Sequence, residues 1–120
     1  MMIVLPWPDR RLSPNARLHW GARAKLAGEA RRVGYVMAWA APISDRAELR
    51  EASNLRLTIR LSPPDKRRRD QDNLVASLKA PLDGIAAACR FDDACIRQTV
   101  VEWGAQIDGG SVHVTLEPIA

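Results

Sequence analysis

Two aspartates separated by one residue follow a run of arginines in the segment RRRDQDN, Arg67 to Asn73. Asp70 and Asp72 stand where an extended loop turns into a predicted helix, so both side chains can face the same way. Two such carboxylates repel one another by roughly 2–3 kcal/mol at about 7 Å and an effective dielectric constant near 20. A bound divalent cation reverses that sign, and hard oxygen ligands suit Mg²⁺ or Mn²⁺. The spacing therefore indicates a candidate metal site.

A second acidic pair, Asp92 and Asp93, follows the predicted helix. If that helix returns the chain to the sheet edge, this pair can complete a metal site with the first. Lys79 falls on the same helical face as Asp72, where it could neutralise a phosphate during attack by metal-activated water. Each residue also has a structural alternative. An aspartate commonly caps a helix, Lys79 and Asp83 can form a surface pair, and a short charged run is usually solvated.

The basic residues are unevenly distributed. The 120-residue chain has a net charge of +4, and 15 of its 18 basic residues are arginine. Residues 1–60 carry eleven Lys or Arg against five Asp or Glu, whereas residues 61–120 carry seven against nine, and four of those seven form the run Lys66 to Arg69. The planar fork of arginine suits phosphate, although arginine also forms surface ion pairs. An anionic partner and a solvated basic surface both remain open.

Several classes of protein are disfavoured by the sequence. The N-terminal MMIVLPWP lacks the basic start and the cleavage site of a signal peptide, and no apolar stretch approaches the ~20 residues that span a bilayer. Two cysteines do not make a disulfide scaffold, and two histidines give no zinc-like ligand set. We therefore expect one reduced, cytoplasmic domain over residues 1–120, without a membrane partner or an organic cofactor.

Hydrophobic periodicity predicts both helices and strands. An opening strand precedes Pro8, and a helix begins near His19 with an apolar face formed by Leu26, Ala30, Val33, Met37 and Ala40. Gly28 and Gly34 weaken that helix, and residues 43–54 read as a connection with at most a short helical turn. Strict alternation from Leu55 to Leu61 predicts a second strand.

The second half repeats this mixture. Leu74, Leu78, Leu82, Ile85 and Cys89 mark a second helix, in which Pro81 should cause a kink or a break. Residues 96–103 and the alternating Val112, Val114 and Leu116 predict two strands that pair as a C-terminal β-hairpin across the turn at Asp108 to Gly110. The expected fold class is α+β, a mixed sheet with two main helices packed on it.

The order of these features resembles the RusA family of Holliday junction resolvases, often encoded by prophages. The matching segment is PPDKRRRDQDNLVASLKAPLDGIAAACRFDD, Pro63 to Asp93, and the earlier LPWP and SPN resemble the family's opening strand and turn. The resemblance implies a homodimeric endodeoxyribonuclease that resolves four-way DNA junctions by paired nicks, using Mg²⁺ or Mn²⁺, in recombination and repair.

The resemblance also assigns roles to individual residues. Asp70, Asp72 and Asp93 match the catalytic aspartates, with Asp92 beside the last of them as a further metal ligand. Lys79 matches the catalytic lysine only if three residues are inserted after Leu74, since Ala76 occupies the usual position. A second departure is Cys89-Arg90, which stands where a helix-ending glycine is expected. The implied DNA-binding residues are Asn15, Arg17, Lys66, Arg67, Arg68, Arg69 and Asn73.

Two other functions remain open at this point. One is a metal-dependent nuclease acting on other branched or flapped DNA. The other is a phage DNA-binding module that keeps the basic surface without turnover. The concentration of carboxylates beside a phosphate-binding loop favours a nuclease, because a pure binder gains nothing from negative charge there.

Overall fold

The computed structural model describes all 120 residues, which form one α+β domain with a mixed four-stranded sheet. The strands are β1 (Met2–Pro6), β2 (Leu55–Ser62), β3 (Ile96–Trp103) and β4 (Ser111–Pro118). The α-helices are α1 (Trp20–Trp39), α2 (Ile43–Glu51), α3 (Gln71–Ser77) and α4 (Lys79–Cys89), and two short 3₁₀ helices cover Arg10–Leu12 and Asp93–Cys95. None of the helices is long and apolar enough to cross a membrane.

The sheet has the strand order β1-β4-β2-β3. Strand β4 runs antiparallel to both of its neighbours, whereas β2 and β3 are parallel. Alternate residues of β2 and β4 are buried, including Leu57, Ile59 and Val114, and they form the core with the matching residues of β1. Burial of one face of the central strands holds the sheet against the helices.

The predicted C-terminal hairpin is wrong. Strand β3 pairs with β2 at one edge of the sheet, and β4 lies between β1 and β2. The segment after β3 crosses the end of β2, where the Gly104 N–H donates to the Leu61 carbonyl and the Ile107 N–H donates to the Pro63 carbonyl. Burial alternates along β4 from Ser111 to Leu116, which suits a central strand, and the largely exposed β3 suits an edge.

The apolar face predicted for α1 is also wrong. Its buried residues are Gly34 and Ala38, while Val33 and Met37 are exposed. The helix crosses α4 so closely that a Cβ at Gly34 would collide with the Pro81 carbonyl. Small residues rather than large ones therefore mark the contact face.

The second predicted helix breaks as the proline required. Helix α3 ends at Ser77, and α4 begins at Lys79 with Pro81 in its first turn. The first turn of a helix tolerates proline, because the amides there have no partner within the helix. In a continuous helix, however, the Pro81 ring would clash with the carbonyl of Ser77, four residues earlier, so the helix breaks between the two. The region predicted as a connection also differs, because α2 occupies it and buries Leu49 in the core.

Candidate functional site

The arginine loop between β2 and α3, residues 63–69, is organised by Asp65. Its Oδ1 accepts hydrogen bonds from the Arg67 backbone N–H at 2.9 Å and from the Arg69 guanidinium at 2.8 Å. The Arg67 amide, followed by the Arg69 side chain, lowers the pKa of Asp65 below its usual value. The carboxylate therefore stays ionised and fixes the loop around itself.

The four basic residues of the loop have different environments. The Arg69 side chain is 14% exposed, and its guanidinium carbon lies 5.4 Å from the centre of the Trp7 ring. Arg69 also donates to the Arg67 carbonyl at 3.0 Å, so its side chain stabilises the conformation of the loop. Lys66 and Arg68 are exposed and form none of the ion pairs of the chain. The Arg67 side chain is 80% exposed despite its contact with Asp65. Three cations thus face solvent.

Asp70 and Asp72 occupy the start of α3. Asp70 is the N-cap, and its Oδ1 accepts a hydrogen bond from the Asn73 N–H at 3.1 Å. Asp72 lies in the first helical turn and is exposed. The alternative prediction that Asp70 caps a helix is confirmed. The cap uses only one of the two carboxylate oxygens of Asp70, Oδ1. Asp70 and Asp72 thus both follow the arginine loop directly, two residues apart in the chain.

A cleft of about 400 Å³ opens beside Asp70. Its other walls are the end of the LPWP segment, the 3₁₀ helix after it and the SPN turn, and it includes Trp7, Arg10, Ser13, Arg67 and Asn73. The two separate segments of the sequence motif are therefore adjacent in the fold. Arg10 was not among the predicted site residues. A single arginine outside a charged run gives no sequence signal until the fold shows its neighbours.

The opening loop is fixed by its own hydrogen bonds. Arg11 donates to Asp9 at 2.7 Å, and this side-chain contact lowers the pKa of Asp9 to about 2. Arg23 on α1 donates to the Ser13 and Ala16 carbonyls, at 3.3 and 2.8 Å. The predicted DNA-binding residues Asn15 and Arg17 are exposed on this turn.

Lys79 begins α4 and lies across the helix break from Asp72. Its Nζ is 3.3 Å from Oδ2 of Asp83, and its side chain is 74% exposed. The predicted single helical face joining Asp72 to Lys79 does not form, because Pro81 ends α3 at Ser77. Lys79 is instead an exposed cation on the surface next to the break, with only an exposed partner.

The second acidic pair lies at the opposite end of the sheet from the first. Asp92 caps the 3₁₀ helix before β3, and its pKa is lowered by the Ala94 N–H and then by Asp93. The start of β3 pairs with the start of β2, whereas Asp70 follows the far end of β2. Eight residues of strand span about 26 Å. Accordingly, no group of three acidic, histidine or cysteine side chains in the chain is placed to hold a metal ion. The expected convergence of Asp70, Asp72 and Asp93 does not occur within one chain.

The donor set around α3 nevertheless fits a magnesium ion in part. Mg²⁺ is commonly held by one or two carboxylates, with water and substrate phosphate completing its six ligands. Asp70 and Asp72 supply that minimum, while Asp93 and Asp92 of the same chain are too remote to add to it. The third carboxylate of the predicted set, Asp93, is therefore not supplied to this position by the same chain.

Comparison with known proteins adds one relative. No family model matches the chain. An uncharacterized protein from Xylella fastidiosa (strain Temecula1) is 43% identical over 91 residues, which cover 76% of this chain and 59% of that protein. The chain thus spans less than two thirds of the relative's length. The similarity carries no stated activity.

Proposed function

We propose that the protein is a divalent-metal-dependent endodeoxyribonuclease that nicks four-way junctions, as its resemblance to the RusA family implies. The observation that carries the proposal is the position of Asp70, which lines a cleft together with Arg10 and Arg67. Asp72 follows it in the first turn of α3. Guanidinium groups bind phosphate, and carboxylates bind the cation that a phosphodiester hydrolysis uses. The opposite charges are adjacent because the substrate is anionic and the metal is cationic.

Asp70 and Asp72 would hold the metal. A bound Mg²⁺ or Mn²⁺ supplies an activated water and stabilises the charge that develops on the phosphate. The chain's own residues bind and orient the substrate. Lys66, Arg67 and Arg68 contact the DNA backbone from the loop, and Asn73 extends into the cleft beside them. Backbone contacts give affinity without sequence reading, which suits recognition of a branched shape.

Lys79 acts as a cation near the scissile phosphate in this proposal. Its exposed pairing with Asp83 is weak, so the side chain is free to exchange that partner for an anionic substrate. Lys79→Ala should therefore slow cleavage while leaving the stability of the fold almost unchanged. An unchanged rate would remove Lys79 from the mechanism.

A second copy of the chain can supply the missing carboxylate. The Trp103 Nε1 donates to Gln71 at 3.1 Å, so the end of β3 lies beside Asp70 and Asp72, whereas Asp93 precedes the start of β3. Strand β3 is at the edge of the sheet. Antiparallel pairing of two such edges across a two-fold axis directs the start of one strand toward the end of the other. A homodimer built in this way brings Asp93 of one copy toward Asp70 of the other, with Asp92 next to it.

The amide directions of β3 are compatible with this dimer. The Gly104 N–H points to β2, so the even-numbered amides from Gln98 onward face inward and the odd-numbered ones from Thr99 onward face the open edge. The pairing with β2 shifts register at Arg97, where this alternation ends. A two-fold axis perpendicular to the sheet at Val100 would pair Thr99 with Val101 and would place Trp103 opposite the irregular backbone at Arg97. The pair of Thr99 and Val101 is formed twice, once on each side of the axis.

A DNA-binding module without turnover is the second candidate. It is favoured by one observation, the absence of a three-carboxylate group within a single chain. Under this reading the arginine loop binds DNA, Asp70 serves only as a cap, and the acidic residues have no catalytic role. A nuclease for flapped or otherwise branched DNA differs from the first proposal only in its substrate.

Incubation of a labelled four-way junction, a flap and a linear duplex with Mg²⁺ separates these functions. Paired symmetric nicks in the junction alone support junction resolution, and cleavage of the flap supports the broader nuclease. Binding of the junction without cleavage, with Mg²⁺ and with Mn²⁺, supports the module. Asp70→Asn is the matched control, because it removes the charge and retains a side chain that caps helices well.

A further inference from the structure

Three arginines surround a surface cavity at the far end of α4 from the arginine loop. The cavity has a volume of about 190 Å³, and we call it the arginine pocket. It lies between α2 and the end of α4, next to the last residue of α1, and its polar lining consists of Arg46, Arg50 and Arg90. None of these residues belongs to the site proposed above.

Helix α2 presents two of the three guanidinium groups to the pocket. Arg46 and Arg50 are four residues apart, so they lie on one face of the helix. The Arg46 guanidinium carbon lies 4.0 Å from the centre of the Trp39 ring, which is itself stacked at 6.3 Å on Tyr35. The ring attracts the cation and limits its orientations. Arg46 is thus held in place before any ligand arrives.

Arg90 adopts a backbone conformation that favours glycine. It ends α4 with φ 59° and ψ 47°, and it is the one non-glycine residue of the chain with a positive φ. Glycine is the usual residue at such a helix end, because a side chain there is strained. A residue with this backbone strain at the edge of a cavity is a candidate for a functional side chain.

The pocket has an excess of positive charge. No Asp or Glu lines it, and neither Arg46 nor Arg90 takes part in an ion pair of the chain. Arg50 makes one exposed contact of 3.8 Å with Glu51. The Cys89 thiol, which also lines the pocket, supplies no anion, because its burial raises its pKa. Three like charges, of which only Arg50 has an ion-pair partner, favour an anionic ligand.

We propose that the arginine pocket binds a phosphate group, and that this group is a backbone phosphate of the DNA substrate other than the one that is cut. Planar guanidinium forks match phosphate oxygens in pairs. Arg90 precedes Asp92 and Asp93 by two and three residues, so the pocket adjoins the second acidic pair. The identity of the phosphate as DNA rests on the proposed function; a free phosphate or a nucleotide has the same chemistry at this site.

Two variants and one control test the pocket. Arg90→Gly removes the guanidinium and relieves the backbone, so the protein should fold at least as well as the wild type. Arg50→Gln removes a second charge from an exposed helical position. Arg60→Gln is the control, since it removes an exposed arginine from the open face of the sheet, where Arg60 contacts only Glu102 as an ion pair.

The first measurement is junction binding by fluorescence anisotropy over a range of salt concentrations, with a chelator present to prevent cleavage. We expect Arg90→Gly and Arg50→Gln each to weaken binding several-fold and to reduce the slope of log K against log[salt] by about one. Arg60→Gln should match the wild type. If both pocket variants also match a tightly binding wild type, the pocket is not a DNA contact, and the proposed nuclease is unaffected.

A second measurement identifies the source of the phosphate. Inorganic phosphate is titrated into ¹⁵N-labelled wild type and Arg90→Gly, and the amide shifts of residues 46, 50 and 90 are followed. Should the wild type fail to bind DNA, saturable shifts that are lost in Arg90→Gly would support a site for free phosphate and reject the DNA-based function. The absence of both DNA binding and phosphate shifts overturns the pocket and the proposed function together.

Discussion

Trp103 and Gln71 join the end of the edge strand to the start of α3 through a hydrogen bond of 3.1 Å from the indole Nε1 to the amide Oε1. Gln71 lies between Asp70 and Asp72, so this bond places the open edge of the sheet beside the first acidic pair. The other end of β3 leads back to Asp93. The strand therefore separates the two halves of the predicted metal site within one chain and offers a surface that can reunite them between two chains.

Blocking the open edge should abolish the dimer. The Thr99 amide faces away from β2, so Thr99→Pro removes no hydrogen bond within the chain, and edge strands tolerate proline. We expect a folded monomer that has lost junction cleavage, as measured by light scattering and by nicking of labelled DNA. Thr99→Ser retains the amide and serves as the control. A dimeric, active Thr99→Pro protein would exclude this interface.

Replacing Asp70 separates its capping role from its chemical role. Asp70→Ala loses the hydrogen bond to the Asn73 amide and should lower the free energy of unfolding by about 1 kcal/mol. Asp70→Asn keeps a capping oxygen, so its stability should stay within a few tenths of a kcal/mol of the wild type.

The cleavage activity of these two variants should not follow their stability. Both should lose detectable nicking, because neither carries the charge that a metal ion requires, while junction binding is retained or tightened by the lower negative charge. Chemical denaturation and a binding assay on the same samples provide the comparison. Cleavage by Asp70→Asn at the wild-type rate would mean that Asp70 is only a cap.

The features that could be predicted from the sequence are set by local physics. Alternation along β2, the start of α1 at His19 and the break before Pro81 each depend on a few neighbouring residues. The pairing of β3 is different, since nothing within the strand distinguishes a neighbour at β2 from one at β4. The position of Asp93 depends on that pairing, so it could not be read from residue spacing.

The error in the α1 face has a separate cause. Periodicity assigns large apolar residues to the core, but α1 contacts α4 through glycine and alanine, which lets the two backbones approach. Val33, Val36 and Met37 remain exposed as a result. The grouping of Arg46, Arg50 and Arg90 could not be predicted for a similar reason, because these residues come together only through contacts between different helices.

The close crossing of α1 and α4 should be sensitive to one added methyl group. At Gly34 a Cβ would collide with the backbone of Pro81, so Gly34→Ala should destabilise the protein by about 1–3 kcal/mol. Gly28 lies on the same helix, and apart from the adjoining residues and backbone of that helix no atom comes within 4 Å of the point that a Cβ would occupy there. Gly28→Ala should therefore stabilise the protein by about 0.5–1 kcal/mol. Thermal and urea unfolding of both variants test the crossing, and equal effects would contradict it.

Acid should remove a small contribution from the opening loop. The hydrogen bond from Arg11 lowers the pKa of Asp9 from 3.8 to about 2, so ionised Asp9 stabilises the folded state above about pH 4. That contribution declines as the pH falls toward 2, because the folded state then also takes up the proton. The pair is exposed, so the difference between wild type and Asp9→Asn should stay below about 1 kcal/mol at pH 7. This stability difference should shrink on acidification to pH 2. A difference that grows instead would contradict a stabilising role for ionised Asp9.

Mixing two inactive variants provides the sharpest test of a site shared between chains. Asp70→Asn and Asp93→Asn should each form inactive homodimers. If Asp93 of one chain completes the site of the other, a mixed dimer contains one site with both changes and one site with neither. Co-expression or refolding of the two variants together should then restore nicking of one strand. Each mixed dimer has one intact site of two, whereas each variant mixed with itself remains inactive.

If each chain carried its own complete site, every site in the mixture would contain one change and no activity would return. Single-strand nicks without paired cleavage would identify the shared arrangement, since only one of the two sites in a mixed dimer is intact.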